Sequence, residues 1–308
     1  MAGAMPAVEM RALIARQRRK DLLFVLLGVA ALGLAFATFI TLFLDMLFDG
    51  WSRLRPEFFT QFASRKAEQA GILAAWVGTL AVMVVTALVA VPLGVAAGIY
   101  LEEYAVRNKL TAIIEININN LAGVPSIVYG LLALGMFVHT LGLGASIRTA
   151  GLTLALLILP IVIVATREAI RAIPGSIREA AYALGATRWQ LVRHHVLPYS
   201  LPGILTGVII GLSRAIGETA PIITIGAVSF IAFLPPAPVQ PAFPWLSFEW
   251  LASPFTAMPI QIFGWTSRPE AAFQANASAA ALVLVAMTLV MNAIAIWLRY
   301  RLRRNLSW

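Results

Sequence analysis

Six stretches of this chain are long and apolar enough to cross a lipid bilayer, and that feature fixes most of what it can fold into. Leu22 to Leu44, held between Asp21 and Asp45, is the first. Ala70 to Leu101, Ile116 to Ile147, Thr149 to Thr166 and Ala271 to Leu298 are equally free of Asp, Glu, Lys and Arg; Tyr199 to Leu234 is interrupted by Arg214 and Glu218 alone. Runs beyond about 18 residues match the length of a membrane-spanning helix. Only 12% of the residues are charged and 60% are hydrophobic, against about 25% charged in a soluble domain, so a water-facing surface cannot be built. The predicted fold class is all-α, a polytopic membrane protein with six transmembrane helices.

The net charge of +9 raises a nucleic-acid reading until the basic residues are sorted by loop. With six spans both termini share one side. That side holds Arg11, Arg16, Arg18, Arg19, Lys20, Arg107, Lys109, Arg167, Arg171, Arg178, Arg188, Arg193, Arg299, Arg301, Arg303 and Arg304; the other holds Arg53, Arg55, Arg65, Lys66, Arg148 and Arg268. The positive-inside rule puts both termini in the cytoplasm. The basic excess is therefore topological, and nucleic acid is excluded as a partner. The first apolar run exceeds the roughly 7 to 15 residues of a signal h-region and no small-x-small site follows it, which predicts a retained anchor. Cysteine is absent, which removes disulfides and thiol chemistry.

Two connections stand out. Arg167 to Pro198 is helix-forming sequence with Pro174-Gly175 at one end and Pro198 at the other. Within it Ser176-Ile-Arg-Glu179 predicts a capping box and a helix start. Gly185 permits a turn, Thr187 caps again, and Trp189, Val192 and Val196 fall on one face. The expected product is a short helix, a turn and a second short helix. DNA-binding pairs share that pattern, but tethering by membrane spans at both ends presents this one for docking on a partner. The second connection, Pro235 to Glu270, carries Trp245, Trp250 and Trp265 and dense proline. It is expected to avoid regular helix and to rest as an external loop on the bilayer interface.

The first connection also carries a specific pattern. Glu179-Ala180-Ala181, Gly185 and Val196-Leu197-Pro198 resemble the EAA loop of ABC importer permeases, EAA-x3-G-x9-I-x-L-P, with His195 where the pattern has Ile. Leu121-Ala-Gly-Val-Pro125-Ser126-Ile-Val-Tyr-Gly130, Ser213-Arg214-Ala-Ile-Gly217-Glu218-Thr219-Ala-Pro221 and Phe255-Thr256-Ala-Met-Pro259-Ile-Gln-Ile262 are similar to segments of phosphate transport permeases, of the PstA type rather than its PstC-type partner. The matches run from about Gly71 to Arg304. The resemblance implies a type I ABC importer permease architecture. Glu179, Ala180, Ala181, Gly185, Leu197 and Pro198 would then couple to an ATP-binding subunit.

Arg214 and Glu218, four apart, share one helix face, and an ionised group at membrane depth costs at least about 2.5 to 3.5 kcal/mol, so neither faces lipid. One reading is an ion pair that locks the bundle. The other is a guanidinium in a water-filled path offering planar, multi-donor contact to a tetrahedral oxyanion, with Glu218 limiting how tightly it is held. Arg167, at the cytoplasmic end of the fourth span, is a further basic candidate. Asn117, Asn119 and Asn120 with Gly123 and Pro125 mark the third span as interrupted. His194 and His195 are adjacent and poorly placed to share a metal, and His139 stands alone, so no metal site is expected. No Gly-x4-Gly-Lys-[Ser/Thr] motif occurs, so ATP must be bound by another polypeptide and no cofactor is expected in this chain.

These observations predict a permease subunit, not an enzyme, that moves inorganic phosphate across a bacterial inner membrane by alternating access. Residues 1–69 form a lead, anchor and external segment; 70–304 form the permease domain with its loop at 176–198; and 305–308 end the cytoplasmic tail. The implied partners are a PstC-type permease, a PstB-type ATPase dimer, a periplasmic phosphate-binding protein and membrane lipid. A permease for sulfate or another tetrahedral oxyanion, and an ATP-independent secondary transporter or channel, are the competing readings; an enzyme ranks below both, for want of a nucleophile, base or metal cluster.

Overall fold

A computed structural model describes residues 7–106, 108–240 and 245–304, and among these the regular structure is helical apart from one isolated bridge between Val239 and Leu246. In chain order the helices are α1 (Ala7–Gly50), the short α2 (Pro56–Thr60), α3 (Leu73–Ile99), α4 (Lys109–Leu121), α5 (Ser126–Ala133) and α6 (Ile147–Arg171). Then come α7 (Gly175–Ala183), α8 (Arg188–Leu191), α9 (Leu197–Gly217), α10 (Ala220–Thr224), α11 (Met258–Thr266) and α12 (Ala271–Arg304). Wider π-helical turns extend α3 over Tyr100–Tyr104 and α5 over Leu134–Thr140.

Five helical stretches are long and apolar enough to span a bilayer, and a sixth span exists when α4 and α5, bent by 107°, count as one. The six expected spans are thus present and the third is broken where Gly123 and Pro125 mark it. Proline has no N–H to give and biases its predecessor away from helix. The carbonyl of Leu121, the last residue of α4, is met at the bend by the Val124 N–H at 3.1 Å and by the Tyr129 hydroxyl at 2.8 Å.

α6 is the axis of the bundle. Lipid tails supply no hydrophobic drive between helices, so close backbone approach by small residues must do so. Gly94 and Gly98 of α3 lie one turn apart on Val162 and Thr166; a Cβ at either would come within 2.7 and 2.6 Å of those side chains. On the other flank Gly203 and Gly207 of α9 meet Ala169 and Ala165 in the same way. α12 joins α9 through a hydrogen bond from Ser213 Oγ to Asn292 Oδ1 at 2.6 Å. α1 is different: every described side chain from residue 20 to 42 is exposed, and the helix meets α12 where Gly50 lies against Ala279.

The Pro/Trp-rich connection departs from expectation. Part of it forms α11, started by Pro259, whose missing N–H is no loss in a first turn. Trp265 is buried between Phe58 and Phe273, with ring centroids 6.0 and 6.5 Å away. With the Gln261 amide turned so that its oxygen faces the indole, it accepts from the Trp265 N–H at 3.0 Å and donates to the Ser229 carbonyl at 3.1 Å. An indole whose N–H is met inside the protein has no need of the membrane interface. Trp245 is exposed, as an interfacial loop requires.

Candidate functional site: two charge clusters and a helix-turn-helix loop

The loop joining α6 to α9 is built largely as its residues demand. α7 does not start at the Ser176 capping box: Pro174 is the N-cap and no side chain caps the helix. Proline fixes φ at −56° there, which sets the helix start and leaves Ser176 inside the first turn. Gly185 takes φ +80°, a left-handed turn that glycine enters without strain. Thr187 caps the next helix as predicted, and with Gln190 it completes a capping box: Thr187 Oγ1 accepts from the Gln190 amide at 3.3 Å, and Gln190 Oε1 accepts from the Thr187 amide at 2.8 Å.

The second short helix is not separate. α8 runs through a π-helical segment, Val192–Val196, straight into α9. Pro198 lacks the N–H an α-helix would direct at His194, and wider winding just before it accommodates that loss. The same winding breaks the register of the predicted apolar face. Leu191, Val192 and Val196 are buried, whereas Trp189 is 62% exposed. Of the resemblance-derived residues, Glu179, Ala180 and Gly185 are exposed, Leu197 and Pro198 half-buried, and Ala181 faces inward among Ile170, Ile173, Leu191 and Val196. Tyr182, Leu184 and Trp189 form exposed apolar surface on the same loop; a tryptophan at buried-face spacing concealed this in the sequence.

Beside this loop lies an ionic cluster. Arg167 is 4% exposed and its guanidinium reaches Glu115 of α4 at 2.7 Å and Glu102 at 3.5 Å. Arg171 reaches Glu102 at 3.0 Å and Glu168 at 3.3 Å. Arg178 of α7 donates to Glu103 at 2.8 and 3.1 Å and to the carbonyls of Ile170 and Ile173 at 3.0 Å each. Glu102, Glu103 and Glu115 were not singled out by sequence reasoning, and adjacency of two acids at a helix end was the signal available. α4 buries no side chain and borders a cavity of about 740 Å³ lined by Glu102, Lys109, Glu115 and Arg171.

The second cluster is the pair at the end of α9. Arg214 closes the last turn of α9, and Glu218 follows the helix end in extended conformation. The shared helix face is therefore corrected, because α9 stops at Gly217, but the pair forms, Nε to Oε1 at 3.2 Å. The Arg214 side chain is 41% exposed and Glu218 18%. Beyond it, α10 packs on α5 so closely that a Cβ on Gly130 would meet Thr224 Oγ1 at 1.9 Å and the Pro221 Cα at 2.7 Å. Two interrupted helices thus abut next to a guanidinium that retains free donors.

Five apolar helices long enough to span a bilayer, and a sixth broken pair, define a class of protein, the polytopic membrane protein. The chain belongs to the family of binding-protein-dependent transport system inner membrane components, whose profile matches residues 90–308. Members are permease subunits of ABC transporters, multi-pass proteins of the inner membrane. The chain is 34% identical over 287 residues to the probable ABC transporter permease protein YqgI of Bacillus subtilis (strain 168), covering 88% of this chain and 92% of that protein. It is 32% identical over 230 residues to the phosphate transport system permease protein PstA 1 of Mycobacterium tuberculosis (strain ATCC 25618 / H37Rv), covering 75% and 70%. Its fold matches a bacterial alginate ABC transporter, solved with an alginate pentasaccharide-bound periplasmic protein, at TM-score 0.62 and 14% identity over 90% of this chain and 93% of that one.

Proposed function

We propose that this permease carries inorganic phosphate inward, and that Arg214 is the residue that meets the anion. The observation carrying this is the half-exposed Arg214 guanidinium at the end of α9, where one edge is held by Glu218 at 3.2 Å. The remaining donors suit a tetrahedral oxyanion, which takes planar, multi-donor contact better than a point charge. Glu218 weakens the hold so that release is not trapped. The phosphate transport permeases among the relatives support phosphate over other oxyanions. Arg167 already faces two carboxylates, so we assign it to anchoring α4 rather than to the anion.

In this reading the α7 end of the bundle is cytoplasmic, and so are both termini, as the loop charges favour. The chain then divides into an anchor region over residues 1–69 and a permease domain from 70 to 304. A PstB-type ATPase dimer holds the ATP, and this chain needs no cofactor of its own. Glu179, Ala180 and Gly185, with exposed Tyr182, Leu184 and Trp189, form the surface on which it docks. A PstC-type permease completes the path, a periplasmic phosphate-binding protein delivers the anion, and closure of the ATPase rocks the bundle between outward and inward access. Uptake of radiolabelled phosphate by cells lacking this chain, with and without it restored and with sulfate as competitor, tests the reading. Restored uptake insensitive to excess sulfate is expected; no restoration, or full competition by sulfate, overturns phosphate as the substrate.

A further inference from the structure

We infer that Arg178 and Glu103 form the strut that carries motion of the docking loop into the membrane, making them positioning residues for energy conversion rather than contacts of the ATPase or of the anion. The inference rests on the docking reading of the α7 loop given above.

The α7 helix is joined to α6 by a short linker and to α8 through Gly185, two connections that fix position poorly. Ala181 and Ile177 pack it against the end of α6 and α8, and Arg178 adds the directed contacts that fix its orientation toward α3. One guanidinium donates to Glu103 through Nε and Nη2, at 3.1 and 2.8 Å, and to two carbonyls at the end of α6, Ile173 through Nη1 and Ile170 through Nη2 at 3.0 Å. The Ile170 carbonyl also accepts from the Ile173 N–H at 3.2 Å, the Ile173 carbonyl lies just past the helix end, and an arginine at both complements the negative end of α6. The Glu103 side chain is only 8% exposed and that of Arg178 24%, so water screens the pair little.

Glu103 is covalently next to Glu102, which binds Arg167 and Arg171, and Arg167 in turn holds Glu115 on α4. Two sets of charge contacts, Arg178 to Glu103 and Glu102 through Arg167 to Glu115, are therefore joined by the backbone between Glu102 and Glu103 and run from the docking loop to the broken span. α4 buries none of its side chains, so this series is a principal hold on it, and a push on α7 reaches the 107° bend through directed, short contacts. Arginine is required for this geometry: lysine has no planar fork to serve a carboxylate and two carbonyls together.

The test uses the assembled transporter in proteoliposomes, with inorganic phosphate as the transported probe and phosphate import and ATP hydrolysis measured together. Arg178→Gln is expected to keep the ATPase subunit bound and hydrolysing, while ATP consumed per phosphate imported rises about tenfold, within the range that a lost conformational link produces. Arg178→Lys should recover only part of the ratio, and the exchanged pair Arg178→Glu with Glu103→Arg more than either single change. Should Arg178→Gln fail to assemble, Glu103→Gln, which leaves both carbonyl contacts in place, decides: a raised ratio supports the strut. A ratio equal to wild type in Glu103→Gln, or import and hydrolysis falling in proportion, overturns it. If instead the wild-type complex imports phosphate without hydrolysing ATP, or hydrolyses ATP without importing phosphate, the failure belongs to the function proposed above.

Discussion

Arg167 and Arg214 are both guanidiniums on spanning helices, and the chain uses them in opposite ways. Arg167 is 5% exposed at the side chain and meets two carboxylates, Glu115 at 2.7 Å and Glu102 at 3.5 Å. Arg214 is 41% exposed and meets one, Glu218, at 3.2 Å. A buried cation held between two carboxylates is a fastener, since it ties helices together and is closed off from any ligand. A half-open cation with a single counterion has donors to lend. The difference teaches that the count of partners and the exposure, not the residue type or its place in an apolar helix, separate a structural arginine from one able to handle a ligand.

The largest effect should come from breaking the buried site. Arg167→Gln removes the cation that Glu115, one third exposed, meets at 2.7 Å, while Glu102 keeps Arg171, and is expected to cost about 1.5 to 3 kcal/mol of stability, seen as a lower thermal unfolding midpoint of the purified complex and as faster proteolysis at Lys109 in α4. Replacing both partners, Arg167→Met with Glu115→Met, should recover much of that stability, because no charge is then stranded. Next is Arg214→Gln, which removes a charged hydrogen-bonding group worth roughly 2 to 3 kcal/mol to the bound anion and should cut phosphate uptake about a hundredfold while the complex still assembles. Unchanged uptake would remove Arg214 from the path. Glu218→Gln sharpens the contrast further: freed of its counterion, Arg214 should hold phosphate about fivefold more tightly and release it about fivefold more slowly, read as a lower half-saturation concentration with reduced maximal uptake.

Much of this contrast was written in the sequence, and the unread part has a physical cause. Five spans follow directly from charge-free runs, and the break in the third from Gly123 and Pro125, because lipid and proline act on local sequence alone. Arg214 and Glu218 were legible for the same reason: four residues apart, they meet even though α9 ends at Gly217 between them. The Arg167 cluster was not. Its acids, Glu102, Glu103 and Glu115, lie on other helices, 52 or more positions away, and meet the arginines only after α3, α4 and α6 have packed. Trp189 was placed on the wrong face because helical spacing presumes α-winding, and five residues of π-helix follow it. Pro174 overrode Ser176 as the start of α7, since a fixed φ needs no hydrogen bond to act.

The smallest effect is the most discriminating test of the exposure argument. Arg171 sits one turn from Arg167 and shares Glu102 with it, at 3.0 Å, a shorter contact than Arg167 itself makes to that acid. If distance ruled, losing Arg171 would matter as much as losing Arg167. Its side chain is 45% exposed, however, and its second partner, Glu168, is 63% exposed, so water and salt screen both contacts, and such pairs contribute about 0 to 1 kcal/mol. Glu102 also keeps Arg167 beside it when Arg171 is gone, so no buried charge is left alone. Arg171→Gln is therefore expected to leave phosphate uptake within about twofold of wild type and to shift the unfolding midpoint by only about a degree or two, with the difference vanishing at high salt. A loss matching that of Arg167→Gln would show that the cluster acts as one unit, and would remove exposure as the property that distinguishes its arginines.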